Sequence, residues 1–284
     1  MKLTPVEKRH DLTREEFRER YLRPRRPVIL TNFATEWPAT TKWTWDWLIQ
    51  KYGHLEVALV DNEFHKPGKN YMVPRRKMKF GDYLQLIRTE PTELRLFLFN
   101  IFQHAPELTK DFSFPNFMDN WAKKYPFMFF GGQGSAVNLH YDIDCSSVFL
   151  TQFANKKRVV LFGPEQSRFL YQHPFTVQSH VDVNHPDYEK YPAFRKAQGY
   201  EAIIGPGETL YIPSTYWHYI DYIEGGYSMS LRANDKLQTQ IKGLWNITRH
   251  FVVDKGMNLL LGPKWKELKE TIADRRAAEA LQEA

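Results

Sequence analysis

The chain has 284 residues, 42% of them hydrophobic and 15% aromatic, which is enough for one large core with appendages. No apolar run approaches the roughly 18 residues that span a membrane, and Cys145 is the only cysteine, which excludes an intrachain disulfide. The net charge of +6 is compatible with an acidic or nucleic-acid partner but does not demand one. The opening Met1-Lys-Leu-Thr-Pro-Val-Glu-Lys-Arg-His10 has no hydrophobic signal core, and with the single cysteine this points to a reducing cytoplasm.

In chain order, Asp11 to Tyr21 reads as a short amphipathic helix capped by Asp11 or Thr13 and stopped by Pro24 and Pro27. Pro27 to Thr31 is a short buried strand, and Trp37-Pro38 turns the chain. Thr44 to Tyr52 is a second helix ending at Gly53, Glu56 to Val60 a strand, and Lys79 to Arg88 a third helix. Arg95 to Phe99 opens a β-rich middle, and Tyr125 to Gly132 follows. Short strands broken by Gly, Pro, Asn and Asp are then expected at 136–141, 147–153, 157–162, 201–204, 209–212, 218–223 and 227–231. Such a series implies a sandwich or barrel, and a jelly-roll barrel suits a site built where strands of both sheets converge. From Lys236 the period changes to that of a helix, with Leu237, Ile241, Leu244, Trp245, Thr248 and Phe251 on one face, and a second helix spans about 264–278. That stripe either packs on the barrel or pairs with its copy in a homodimer. Leu259-Leu-Leu261 favours the dimer. The expected divisions are an N-terminal part at 1–124, the β core at 125–235 and C-terminal helices at 236–284.

Chemistry concentrates in the β core. On a strand, His140 and Asp142 point to one face. With His218 they make a 2-His-1-carboxylate set, which leaves three positions of an octahedral iron(II) open. Gly205-Pro-Gly207 turns the chain into the strand ending at Pro213, just before His218. Lys157 lies on a later strand. If it points inward it needs an anionic partner, because a buried unpaired ammonium is too costly, and a metal-bound dicarboxylate is such a partner. Tyr141, Tyr211, Tyr216, Trp217 and Tyr219 are expected to wall the site, although alternation turns Tyr141 into the core. Cys145 reads as a small buried side chain, and His173, His180 and His185 read as surface residues or neighbours of the site.

Four stretches carry a resemblance. They are Asn138-Leu-His-Tyr-Asp-Ile-Asp144, Gln152-Phe-Ala-Asn-Lys-Lys-Arg-Val-Val-Leu-Phe162, Val181-Asp-Val-Asn-His-Pro-Asp-Tyr-Glu-Lys-Tyr-Pro192, and Gly199 through Pro213 to His218. Together they resemble the JmjC/cupin-like 2-oxoglutarate oxygenases, and within them the asparaginyl hydroxylases that modify hypoxia-inducible factor. The likeness is dense over 125–232 and looser before it. It implies a double-stranded β-helix (jelly-roll) core, mainly β, flanked by N-terminal α/β elements and a C-terminal helical pair that dimerises. It implies iron(II) on His140, Asp142 and His218, with 2-oxoglutarate and O2 as cosubstrates and Lys157 on the far carboxylate. Gln178 would hold the substrate's amide.

Departures from that pattern accompany it. Val137 and Phe97 stand where the pattern has a threonine and a tyrosine that donate hydroxyls to 2-oxoglutarate. Ser147 or Asn138 are the expected substitutes. Val177 replaces an arginine beside Gln178, and Arg232, assigned to the cosubstrate side, replaces an asparagine near the iron. The resulting expectation is a 2-oxoglutarate-dependent dioxygenase that hydroxylates a protein side chain, giving succinate and carbon dioxide. The same chemistry on tRNA or a lipopolysaccharide sugar, or a catalytically silent metal-binding module, are the alternatives.

Overall fold

The computed structural model describes residues 1–63, 73–97, 99–124 and 126–283. Its strands form two sheets. The smaller runs β1 (Lys2–Pro5), β11 (Gln198–Ile204), β10 (Lys157–Phe162), β13 (Trp217–Asp221) and β8 (Ala136–His140). The larger runs β2 (Lys8–Arg9), β3 (Val28–Leu30), β12 (Thr209–Ile212), β9 (Ser147–Ala154), β14 (Gly226–Ala233), β7 (Phe127–Gly131), β6 (Arg95–Leu96), β4 (Glu56–Val60) and β5 (Arg76–Lys79). Pairing is antiparallel except for β1 on β11 and β2 on β3.

Alternation along the central strands sorts side chains into separate cores. Val148 and Leu150 of β9, Val159 and Leu161 of β10 and Leu210 and Ile212 of β12 meet between the sheets. Phe149, one residue out of step, turns the other way into a larger aromatic core built with the N-terminal helices and Tyr211, Tyr227, Met229 and Leu231. A third cluster covers the outer face of the small sheet and includes Leu139, Tyr141, Val160, Trp217 and Tyr219, with Ala277 and Ala280 from the C-terminal helix. This is the expected jelly roll, mostly β with flanking helices. The N-terminal strands extend both of its sheets.

The helices are α1 (Arg14–Phe17), α2 (Ala39–Lys42), α3 (Trp45–Tyr52), α4 (Phe80–Thr89), α5 (Leu237–Thr248), α6 (Lys255–Leu261) and α7 (Pro263–Gln282). Thr13, not Asp11, caps α1: its hydroxyl accepts from the Glu16 amide while the Glu16 carboxylate takes the Thr13 amide. Asp11 instead has a left-handed backbone, φ 52°. The helix continues through a π-helical turn to Leu22. The strand expected over 95–99 pairs only at Arg95–Leu96, and Leu98 lies outside the described residues. The C-terminal stripe does not pack on the barrel. Leu237, Ile241, Leu244 and Trp245 are 60–70% exposed, while Thr239, Gly243 and Asn246 on the opposite face are buried.

Candidate metal centre

His140 ends β8 and is paired in register with His218 of β13, so sheet pairing alone brings the two imidazoles together. Their ring centroids lie 4.2 Å apart. Asp142 lies two residues beyond the strand end, in the turn that leads to β9. One ligand atom from each of the three residues falls within 4.8 Å of the others. The two histidines are oriented alike. Nδ1 of His140 lies 2.8 Å from the Asn138 carbonyl and Nδ1 of His218 lies 3.1 Å from the Tyr216 carbonyl. A carbonyl only accepts, so the proton sits on Nδ1 and Nε2 is left with its lone pair for a metal.

Asp142 has one oxygen engaged. Arg232 on β14 donates from Nη2 to its Oδ1 at 3.0 Å, and from Nη1 to Asp144 and to the Ser146 hydroxyl at 3.2 Å. Burial alone would raise the Asp142 carboxyl, but Arg232, His218 and His140 outweigh it and hold it down at about 2. Burial lowers His218, with Asp142 pulling the other way. The site therefore presents two neutral nitrogens and one carboxylate oxygen on one side, which fits iron(II) with open positions opposite.

Lys157, on β10, does point inward. It is 1% exposed, donates to the Ser228 hydroxyl at 2.6 Å and lies 4.2 Å above the Tyr222 ring. Burial pushes its ammonium down to about 7, with no carboxylate opposing the shift. Ser228, Ser230 and Arg232 share one face of β14, with Ser228 at Lys157 and Arg232 at Asp142. Between them Ser230 is 1% exposed, and its hydroxyl has no hydrogen-bond partner among the described residues; the Arg232 Nε is buried and unpartnered too. Buried orphan donors aligned between a lysine and a metal triad fit a dicarboxylate lying along the strand.

The other expected contributors are distributed differently. Ser147 alternates with Val148 and so turns to the same side as Phe149; it is fully buried, and its hydroxyl has no hydrogen-bond partner among the described residues. Asn138 contributes its carbonyl to His140. Gln178 belongs to a hairpin, Gln172 to His180, which adds to the edge of β8 through a bridge to His140 and a Tyr141 amide bond to the Val177 carbonyl at 3.1 Å. Val137 pairs with Ile220, and Phe97 lies 5.9 Å from the Arg95 guanidinium. Of the aromatic wall, Tyr141, Trp217 and Tyr219 pack on the outer face of the small sheet and Tyr211 in the aromatic core; Tyr216 alone joins the inter-sheet core. Cys145 is buried, as expected.

Of the two readings for His173 and His180, surface residue or neighbour of the site, the surface one does not hold: His173 is buried and His180 largely covered. They face each other at 2.7 Å, and His180 Nε2 reaches Asp274 of α7 at 3.3 Å, while His185 is exposed. Phe175 in the same hairpin stacks on Trp265 of α7. Sequence reasoning also missed Tyr222, Ser228, Ser230 and Arg95. Arg95 is 3% exposed and donates from Nε to the Ala136 carbonyl at the start of β8.

A jelly roll that brings two histidines of neighbouring strands and one aspartate of the following turn together is a cupin-type arrangement that could hold a metal. The chain belongs to the cupin-like domain family, whose model matches residues 13–237. This is a JmjC-like family whose members are typically iron(II)- and 2-oxoglutarate-dependent oxygenases. The chain is 31% identical over 237 residues to the tRNA wybutosine-synthesizing protein 5 of Gallus gallus, covering 75% of this chain and 73% of that protein. It is 29% identical over 243 residues to the lysine-specific demethylase JMJ21 of Arabidopsis thaliana, covering 77% of this chain and 24% of that protein. It is 28% identical over 241 residues to the JmjC domain-containing protein D of Dictyostelium discoideum, covering 75% and 53%. The chain thus spans about a quarter of one of these relatives and about half of another. No helix among the described residues is long and apolar enough to cross a membrane.

Proposed function

We propose that this protein is an iron(II)- and 2-oxoglutarate-dependent oxygenase that hydroxylates a protein side chain. The observation that carries the reading is the pairing of the His140–Asp142–His218 triad with an inward Lys157 that has no carboxylate partner among the described residues. Iron(II) with 2-oxoglutarate and oxygen supplies the oxidising power to place one oxygen atom in a C–H bond, with succinate and carbon dioxide as coproducts. The chain's own residues bind and orient. His140, Asp142 and His218 ligate the metal. Lys157 pairs with the far carboxylate of the cosubstrate, and Ser228 and Ser230 donate along its length. Arg232 occupies one oxygen of Asp142, which would leave the other to hold the metal. Gln178, beside His140, offers its amide to the substrate.

The test is succinate formation from 2-oxoglutarate by iron-loaded protein. Wild type is expected to turn over, and His140→Ala to fall to background; equal production by both sinks the reading. A second substrate reading, tRNA, is favoured by one observation, the 31% identity to a tRNA wybutosine-synthesizing protein along most of its length. Mass spectrometry of candidate proteins and of tRNA for a gain of one oxygen, or loss of a methyl group, separates hydroxylation of either substrate from demethylation.

Two further parts belong to this proposal. Leu237, Ile241, Leu244 and Trp245 form an exposed apolar face continued by Leu259 and Leu260, larger than isolated surface residues explain. It fits a homodimer, and Leu244→Glu is expected to convert a dimer to monomer in sedimentation. Residence in the cytoplasm accords with a lone, buried Cys145.

A further inference from the structure

We propose that α5 is a positioning element of the metal centre, with Gly243 and Asn246 setting where Asp142 sits. The inference rests on the triad being a metal site. All three ligands lie in the β core, and α5 follows it in sequence as an apparent appendage. The contacts show otherwise. The turn that carries Asp142 runs from Asp142 to Ser146, and α5 lies directly against its backbone. A Cβ placed on Gly243 would meet the Asp144 carbonyl oxygen at 2.2 Å, its carbon at 2.6 Å and the Asp144 Cα at 3.0 Å. The helix backbone and the turn backbone touch, with no side chain between them that could give way.

One helical turn further on, Asn246 holds the same loop. Its Nδ2 lies 3.5 Å from the Ile143 carbonyl and 3.3 Å from the Cys145 sulfur. Inside the turn, the Cys145 amide closes onto the Asp142 carbonyl at 2.9 Å, with Cys145 in the left-handed region at φ 55°. That strained conformation persists only where its surroundings over-determine it. Here they do so from three sides: Asn246 at the sulfur, Ser214 donating to the Cys145 carbonyl at 2.5 Å, and Arg232 gripping Asp142 and Asp144. The turn that carries Asp142 is thus held between Arg232 of β14 on the barrel side and α5 on the outside. A ligand displaced by about 1 Å loses its bond geometry, and residues that orient metal ligands carry about 10–100-fold in affinity.

Two glycine-to-alanine changes test this. Both glycines lie in helices, where alanine is the better helix former. Gly243 meets the metal loop, whereas a Cβ on Gly256 in α6 meets nothing within 4 Å. Cobalt(II) is titrated into each variant of the full chain, its visible absorption reporting ligation by the triad. Wild type and Gly256→Ala are expected to bind alike, and Gly243→Ala about 10–100-fold more weakly. Asn246→Ala removes the amide contacts without adding bulk and is expected to weaken binding in the same direction by less. It carries the test if Gly243→Ala does not fold. Equal cobalt affinity in wild type and both α5 variants overturns the proposal and leaves the triad reading standing. Absence of binding in every form, wild type included, overturns both.

Discussion

Two lysines are buried among the described residues, and their surroundings differ in one respect. Lys269, on α7 and 2% exposed, sits 2.6 Å from the carboxylate of Asp254, which also takes the indole hydrogen of Trp265. Lys157, on β10 and 1% exposed, has a serine hydroxyl and the face of a tyrosine. A buried ammonium beside its own carboxylate is a finished structural device. One without an acid is tolerable only because a ring face and a hydroxyl soften its desolvation, or because an anion arrives from outside. The first lysine fastens the C-terminal helices together. The second is built to receive.

The largest effect expected of that contrast is on stability. Lys269→Met leaves the Asp254 carboxylate buried without its cation and is expected to destabilise the fold by about 3–5 kcal/mol in urea denaturation. Lys157→Met removes a costly charge and is expected to leave the fold unchanged or more stable, while dicarboxylate binding by the metal-loaded protein falls by about 100-fold or more. If Lys157→Met were as damaging to the fold as Lys269→Met, the contrast would be wrong.

Proton linkage is the next largest. The Lys157 ammonium is pushed down from 10.5 to about 7 in the fold. Between those values the unfolded chain holds a proton that the folded chain has released, so this group makes stability rise with pH from about 7 towards 10.5. A bound dicarboxylate reverses the preference, because it favours the charged lysine. Its binding should therefore take up a proton above pH 7 and weaken by up to about tenfold per pH unit. Calorimetry in buffers of different ionisation heat measures that uptake. The smallest effect is that of Ser230→Ala, expected to cost about fivefold to tenfold in dicarboxylate affinity, the worth of one hydrogen bond of about 1 kcal/mol.

What could be read from the chain and what could not divide along physical lines. His140 and Asp142 are two residues apart, so the pair was visible in the sequence, although Asp142 sits in the turn beyond β8 and not on the strand; the inward place of Lys157 came from the resemblance, with its need for an anion as the consequence. The exposed stripe of α5 was visible as a period. Ser228 and Ser230 carry no such mark. A serine on a strand matters only once β14 is known to lie between β9 and β7, with an irregularity at Tyr227/Ser228 setting which face turns inward. His173 and His180 could be read as surface residues or as neighbours of the site, and nothing local decided between them, because Asp274, which His180 meets, lies far along the chain on α7. Apart from Tyr216, the expected aromatic wall turns elsewhere, and for Trp217 and Tyr219 the reason is simple. Trp217 and Tyr219 flank His218 and must therefore point away from it.

One strand, β14, carries consequences for how this sequence can vary. Its odd-numbered residues, Tyr227, Met229 and Leu231, belong to the aromatic core, and its even-numbered residues Ser228, Ser230 and Arg232 form the wall beside the triad. Either set can be exchanged residue by residue without disturbing the other. A single inserted or deleted residue would trade them, sending the serines into the hydrocarbon and a methionine to the triad. Change along such a strand can proceed by substitution, whereas a change in its length would cost fold and site together.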